Sequence, residues 1–131
     1  MVRLDSREFE FLRTQEVCRL ATASSDAIPH VVPVIYALDG SRFVIAVDYG
    51  TKKLKNIREN AVVSLVVDRE RPNRAVMVQG KAAIFERGKE YLRLLKILFD
   101  RFEFYRKNPW GEGESPIIVV TPRKVVSWGL R

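Results

Sequence analysis

Short runs rich in valine and isoleucine, separated by turn residues, recur along almost the whole chain. They fall at residues 18–23, 30–38, 43–47, 61–67, 75–85, 116–121 and 124–130. Runs of this length and composition, bounded by glycine, proline and aspartate, predict β-strands in hairpin order. An open sheet of such strands would expose edges that pair with other chains, and a closed sheet removes those edges. The pattern therefore predicts a mainly β fold with some helix, an antiparallel β-barrel of six or seven strands.

Glycine and proline positions refine this barrel prediction. Pro33 lies inside the second run and interrupts it, which indicates an edge strand or a bulge, because proline donates no backbone hydrogen bond. Gly80 lies inside the fifth run and indicates a bulge or a barrel corner. Asp39-Gly40 is a hairpin turn signal, and Pro122 separates the last two runs.

Three segments between the strands have the period of an amphipathic helix. The first begins at Asp5-Ser6-Arg7-Glu8, which has the pattern of a capping box, and continues to Glu16. The second covers residues 52–60. The third covers residues 86–106, where apolar side chains recur every three or four positions. We expect these three helices to plug and cover the barrel.

Length and composition place further limits on the protein. The 131 residues predict one domain, and an apolar fraction of 47% is enough for a core. The longest apolar stretches are too short to span a bilayer, and the polar N-terminus has no signal-peptide pattern. Cys18 is the only cysteine and His30 the only histidine, which argues against a disulfide or a zinc site within one chain. We therefore expect a cytoplasmic protein with no bound metal.

The net charge of +7 leaves nucleic acid open as a partner. The basic residues are scattered, however, and no block of five or six like charges forms a binding arm. A nucleic-acid-binding barrel would also need aromatic residues interleaved with basic ones on one sheet face. The runs at residues 43–47 and 61–67 are almost entirely aliphatic, so nucleic acid is the weaker interpretation.

One local signal points to a ligand. Gly50 follows the third strand, Thr51 is placed to cap the next helix, and Lys52 and Lys53 occupy its first turn. Cations are disfavoured there by a few tenths to ~1 kcal/mol, because the helix dipole puts partial positive charge at the N-terminus. An anion would relieve this, since backbone N–H groups, a hydroxyl and two ammonium groups would converge on it. A solvated basic turn explains the same residues equally well.

The wider pattern resembles the flavin-binding split barrels related to pyridoxamine 5′-phosphate oxidase. The matching segments are, in order, Phe43-Val44-Ile45-Ala46-Val47, Gly50-Thr51-Lys52-Lys53, Asn56-Ile57-Arg58-Glu59-Asn60, Val62-Val63-Ser64-Leu65-Val66-Val67 and Arg74-Ala75-Val76-Met77-Val78-Gln79-Gly80-Lys81-Ala82. Upstream, Arg19-Leu20-Ala21-Thr22 and Ile28-Pro29-His30-Val31-Val32-Pro33-Val34-Ile35-Tyr36 resemble the first hairpin of the same fold. The resemblance covers residues 9–130 and implies an FMN-binding split barrel.

The resemblance implies a homodimer that binds FMN at the subunit interface. Lys52 and Lys53, helped by Thr51, would hold the phosphate. The strand positions that would line the isoalloxazine ring are Val31, Val32, Pro33, Val34, Ala46 and Val47. Small apolar side chains at such positions let a flat ring approach the strand backbone. Gln79 is a polar candidate for the ring or a satisfied strand residue, and Trp128 and Trp110 either cover the flavin from the partner subunit or pack a barrel end.

Departures from the family pattern narrow the expected activity. The true oxidases carry an arginine and a lysine on strand two, whereas residues 30–36 contain neither. The glutamine that those enzymes use ahead of the Met-Val-x-Gly segment falls at Ala75, and the C-terminal segment that recognises pyridoxal phosphate is absent. We therefore expect a short flavin-dependent or deazaflavin-dependent oxidoreductase that does not make pyridoxal phosphate.

No catalytic side chain can be named from the sequence. No Ser/His/Asp arrangement or carboxylate pair stands out, and His30, one histidine at a strand start, is more often structural than a proton donor. We expect hydride or electron transfer at a bound flavin, with the protein supplying position and electrostatics. A deazaflavin coenzyme would use the same lysine turn, and its acidic tail would suit the positive charge. A non-enzymatic FMN carrier or sensor is the other alternative.

Overall fold

Residues 1–130, which the computed structural model describes, form seven β-strands and four helices. In chain order these elements are α1 (Ser6–Thr14), β1 (Val17–Ala23), β2 (Pro29–Ile35), β3 (Ala37–Asp39), β4 (Arg42–Ala46), α2 (Lys52–Glu59), β5 (Val62–Arg69), β6 (Arg74–Phe85), α3 (Lys89–Arg101), α4 (Glu103–Lys107) and β7 (Ile117–Trp128). Within this range, no helix combines the length and the apolar character that a membrane crossing requires.

The seven strands form one antiparallel sheet that curls into a split barrel. Its strand order is β2-β1-β5-β6-β7-β4-β3, so β2 and β3 lie at opposite edges. Only Tyr36 separates these two strands along the chain. The two edges of the sheet must therefore meet in space, which curls the sheet. β2 and β4 come into contact but share no hydrogen-bonded ladder, so the barrel is split between them. The predicted split β-barrel with seven strands is confirmed.

Two of the predicted strand boundaries are wrong. The run at residues 30–38 is two strands, because Tyr36 buries its ring in the core and donates its hydroxyl to the Leu12 carbonyl at 2.6 Å. The edge-strand prediction from Pro33 is confirmed, because β2 lies at a sheet edge; Pro33 does not interrupt the strand, which pairs with β1 without a bulge. The last two runs form the single strand β7. The predicted bulge at Gly80 is confirmed, and the register shift there leaves Arg123 unpaired beside Pro122.

The first two helices begin where they were predicted to begin, whereas the third begins at Lys89 and not at residue 86. The capping box is present, since Asp5 accepts the Glu8 N–H at 2.8 Å and Glu8 accepts the Asp5 N–H at 2.9 Å. α1 nevertheless ends at Thr14, before the predicted Glu16. The predicted third helix is two helices, α3 and α4, because Phe102 has extended backbone and a buried ring between them.

The core has two parts that leave one sheet face uncovered. Inside the barrel, residues such as Phe43, Ile45 and Leu65 pack with α1 and α2. Outside it, α3 packs Leu94 and Leu98 against β4 and β7. At the ends of β2 and β6, Ile35 and Phe85 pack with this outer cluster. On the rest of the outer face of β1, β2, β5 and β6, valine side chains such as Val31 and Val62 are exposed. That face and the split between β2 and β4 are the two features that bear on function.

Candidate functional site

A groove of about 420 Å³ lies at the split in the barrel. Val34 and Ile35 line it from the end of β2, and Ala46 and Val47 line it from the end of β4. These four side chains are small or aliphatic, so a flat ligand can approach the backbone of two strand ends that do not pair with each other. Three of the predicted ring-lining residues, Val34, Ala46 and Val47, therefore lie together.

The opposite wall of the groove is aromatic. Tyr105 of α4 and Trp110 of the following loop stand edge to face, with ring centroids 4.7 Å apart and planes at 89°. Burial, together with the nearby Asp48 carboxylate, raises the pKa of Tyr105, so its hydroxyl stays protonated at neutral pH. Tyr105 fell inside one long predicted helix, so no sequence pattern singled it out. The break at Phe102 starts the separate helix that carries it.

A chain of hydrogen bonds ties this aromatic wall to the end of β4. The Trp110 indole N–H donates to the Tyr91 hydroxyl at 3.0 Å, and that hydroxyl donates to the Ser115 carbonyl at 2.6 Å. The Ser115 hydroxyl in turn donates to the Val47 carbonyl at 2.6 Å. Tyr91 is fully buried. The two walls of the groove are therefore connected through residues that are distant in sequence.

The lysine turn lies at the rim of the groove. Thr51 is the N-cap of α2, as predicted, but its hydroxyl donates to the Asp48 carbonyl at 2.9 Å and accepts no helix N–H. The first backbone hydrogen bond of the helix runs from the Lys55 N–H to the Thr51 carbonyl at 3.2 Å. The first turn contains no acidic residue. The N–H groups that begin this helix are thus free of a side-chain cap.

The two predicted phosphate-binding lysines diverge. Lys53 lines the groove between β2 and β4, together with the carboxylates of Asp48 and Glu114. Lys52 lines a second groove of about 470 Å³, where Lys55 and Arg58 are its cationic neighbours. The described residues that line this second groove include no acid, although Arg58 pairs with Glu86 at 3.3 Å.

Neither Lys52 nor Lys53 forms a salt bridge within residues 1–130. No carboxylate of the described chain is in direct contact with either ammonium group, although Asp48 and Glu114 line the same groove as Lys53. Together with the uncapped N–H groups of α2, the two ammonium groups leave positive charge at the start of this helix. Such a helix start is able to hold an anion.

The remaining predicted cofactor residues do not line the groove between β2 and β4. Val32 stands opposite Leu20 on the inner side of β2. Val31, Pro33, Gln79 and Trp128 lie on the uncovered outer face of the sheet, and the Trp128 indole donates to Asn73 at 3.2 Å. The two surfaces adjoin on β2, because Ile35 lines the groove and lies on the same face of this strand as Val31 and Pro33.

The single cysteine and the single histidine lie outside the groove. Cys18 is fully buried in the barrel core, and burial raises the pKa of its thiol to about 12. The prediction that Cys18 is a core hydrophobe is confirmed. The Nδ1 atom of His30 is buried and has no hydrogen-bond partner within residues 1–130. The same part of the chain contains no cluster of three histidine, cysteine or acidic side chains that could hold a metal ion.

Comparison with known proteins agrees with the family resemblance. A family model described as pyridoxamine 5′-phosphate oxidase matches residues 4–129. A 5a,11a-dehydrotetracycline/5a,11a-dehydrooxytetracycline reductase from Streptomyces rimosus subsp. rimosus is 30% identical over 133 residues, which cover 95% of this chain and 82% of the reductase.

Two solved structures share the fold of this chain. HutZ, the heme storage protein from Vibrio cholerae, has a TM-score of 0.84 at 14% identity, covering 98% of this chain and 97% of HutZ. An FAD-binding protein from Mesorhizobium loti has a TM-score of 0.73 at 23% identity, covering 96% of this chain and 93% of that one. At these identities the two structures establish a common fold.

Proposed function

Because the chain belongs to the pyridoxamine 5′-phosphate oxidase family, we propose that it is a flavin-dependent oxidoreductase that binds FMN in the groove between β2 and β4. The observation that carries this proposal is that the ends of β2 and β4, which carry small or aliphatic side chains and do not pair with each other, meet the uncapped start of α2. The groove volume of about 420 Å³ is within the usual range for small-molecule sites. The reductase relative and the FAD-binding structural relative support the same class.

The residues present fit the two halves of FMN. The phosphate would lie at the start of α2, held by its free N–H groups and by Lys53, with Lys52 and Thr51 at the same turn. The ring would lie along Val34, Ala46 and Val47, opposite Tyr105 and Trp110. When bound, FMN supplies hydride or electron transfer. The protein's part is to orient the ring and to restrict its access to water. We assign no side chain a proton-transfer role.

We infer that a second copy of the chain covers the outer face of the sheet. Val31, Val62 and Trp128 are 64%, 56% and 46% exposed there. The same face carries an apolar row across three strands, since Val66 stands opposite Met77 and Met77 stands opposite Val126. An exposed apolar surface of this kind is typical of an interface. In the homodimer, each subunit would contact its partner through the predicted residues of this face, which include Trp128.

A deazaflavin coenzyme is the second candidate, and one observation favours it. The groove beyond the lysine turn carries Lys52, Lys55 and Arg58 on one side of α2. A cofactor with an acidic tail after its phosphate would find three cations there. FMN ends at its phosphate, so it has no further acidic group to bind the three cations of that groove. The two cofactors differ in colour and fluorescence, so purified protein distinguishes them.

An absorbance spectrum of the purified protein, followed by FMN titration of Lys52→Ala/Lys53→Ala, tests the proposal. We expect a yellow protein with a flavin spectrum. The double variant should bind FMN about tenfold or more weakly, since loss of one charge-assisted hydrogen bond costs about 1.5–3 kcal/mol and exposure to water reduces that cost. Lys89→Ala/Lys96→Ala on α3 removes the same charge elsewhere and should leave the affinity unchanged.

Other results would contradict or change the flavin proposal. Equal FMN affinity of the lysine variant and the wild type would remove the phosphate assignment. A blue-fluorescent protein would favour the deazaflavin, and a heme spectrum or no bound flavin would refute the flavin proposal. Oxidation of NADH or NADPH by the loaded protein would separate an enzyme from a flavin carrier.

A further inference from the structure

Asn56 is the buried polar residue of α2, and its surroundings are unusual for a short surface helix. It is 0% exposed, between the apolar residues Leu54 and Ile57 that face the barrel. Its amide Nδ2 donates to the Thr22 hydroxyl at 3.0 Å. Thr22 is also buried and lies on β1, which pairs with β2 on one side and with β5 on the other. The bond therefore fastens α2 to a strand that is held on both sides.

We propose that Asn56 is a positioning residue for the lysine turn, and that its bond to Thr22 sets the place of the phosphate-binding groups; the inference rests on the flavin function proposed above. α2 has only eight residues. A helix this short has little stability of its own, so its position depends on tertiary contacts. The apolar contacts of Leu54 and Ile57 are not directional. The bond from Asn56 to Thr22 is directional, and it limits sliding and rotation of the helix.

Asn56 lies close enough to the lysine turn for a movement of α2 to affect phosphate binding. Lys52 and Lys53 precede Asn56 by four and three residues, about one helical turn or roughly 4.5–6 Å along the axis. A shift of the helix at Asn56 therefore moves the first-turn N–H groups and Lys53 as well. Charge-assisted hydrogen bonds need separations of about 2.7–2.9 Å. Such a shift would weaken phosphate contacts and leave ring contacts with β2 and β4 in place.

A purely structural role for Asn56 makes a different prediction. In that case the bond only satisfies the Asn56 Nδ2 and the Thr22 hydroxyl, and its value lies in avoiding the desolvation penalty of leaving either one unpaired. The Asn56 Oδ1 is buried without a hydrogen-bond partner within residues 1–130, so removing it costs no hydrogen bond. Replacing both partners by apolar residues of similar shape is nearly neutral for stability. Asn56→Leu/Thr22→Val is such a replacement. It removes the directional bond and leaves no polar partner behind, so it separates positioning from stability.

The test compares FMN with riboflavin, which has the same ring and lacks the phosphate. Affinities for both are measured by quenching of flavin fluorescence, and unfolding in urea is measured in parallel. We expect the wild type to prefer FMN. We expect Asn56→Leu/Thr22→Val to unfold near the wild-type urea midpoint, to lose about tenfold of the FMN preference, which corresponds to about 1.4 kcal/mol, and to bind riboflavin almost as before.

Two variants serve as controls for this comparison. Thr22→Ser keeps the hydroxyl that accepts the Asn56 bond, so it should keep the FMN preference. Tyr36→Phe removes a buried hydrogen bond to the Leu12 carbonyl on a different element. It should lower the urea midpoint without changing the preference.

Two further results would overturn the inference. If Asn56→Leu/Thr22→Val keeps the wild-type preference, or weakens FMN and riboflavin equally, Asn56 has only a structural role and the flavin proposal stands. If the wild type itself binds neither flavin, the flavin proposal fails and this inference fails with it. The Lys52→Ala/Lys53→Ala variant shows which case applies, because it should lose the preference whether or not Asn56 positions the turn.

Discussion

The Tyr91 hydroxyl links the aromatic wall of the groove to the end of β4 by hydrogen bonds. Tyr91→Phe removes these hydrogen bonds and keeps the aromatic ring. The substitution deletes the bond from the Trp110 indole at 3.0 Å and the bond to the Ser115 carbonyl at 2.6 Å. Two net hydrogen bonds of about 1 kcal/mol each would cost about 2 kcal/mol. Trp110 is only half-buried, so its indole N–H can turn to water. We therefore expect a loss of about 1–2 kcal/mol.

Urea denaturation measures this loss directly. The midpoint should fall while the slope of the transition stays the same, because the surface exposed on unfolding is unchanged. In thermal unfolding the midpoint should fall by about 3–8 °C for a chain of this size. The matched control is Tyr105→Phe. The Tyr105 hydroxyl lines the same groove but makes no hydrogen bond within residues 1–130, so its loss should cost less than about 0.5 kcal/mol.

The functional consequence of Tyr91→Phe can be measured on the same two proteins. A loosened Trp110 should widen the groove, so the FMN affinity of Tyr91→Phe should fall below that of Tyr105→Phe. The reasoning is refuted if the two variants unfold at the same urea concentration. It is also refuted if Tyr91→Phe is less stable but binds FMN as the wild type does, because the wall would then not depend on this hydroxyl.

Two remaining predictions concern the fold. The Arg93 guanidinium, which donates to Asp39 at 2.7 and 3.1 Å, lowers the pKa of that carboxyl. The stabilisation is therefore present above the unfolded pKa of about 3.9 and is lost as the pH falls through the lower folded value. Urea midpoints of the wild type and Asp39→Asn should differ at neutral pH and converge in strong acid; a constant difference would contradict this. Gly80→Ala should cost about 1–3 kcal/mol, because the new Cβ would overlap the Thr121 carbonyl across the bulge. Gly111→Ala is the matched control, since its Cβ would meet nothing closer than a flexible Glu114 oxygen at 3.7 Å; equal losses would argue against the overlap.

Features set by interactions a few residues apart are the ones that sequence patterns predicted correctly. The capping box joins Asp5 to Glu8, and the lysine helix begins at Lys52 because Gly50 ends the extended segment before it. The two element breaks that the patterns missed, at Tyr36 and Phe102, have a different cause. Each is an aromatic ring drawn into the core, and which ring is drawn in depends on residues far away in the chain.

By itself, the sequence determined the strand content, the barrel class and the place of a cationic helix start, because each follows from local composition and spacing. The family was indicated by the resemblance of its ordered segments to known split barrels. Only the tertiary structure decided which groups share the groove. Closure of the sheet brings β2 beside β4 and places the Ser115 hydroxyl on the Val47 carbonyl, 68 residues apart in the chain. Closure also fixes the position of α2 on the barrel, and the two neighbouring lysines of this helix line different grooves. Such placements depend on non-local contacts that form together when the barrel closes, and no short segment encodes them.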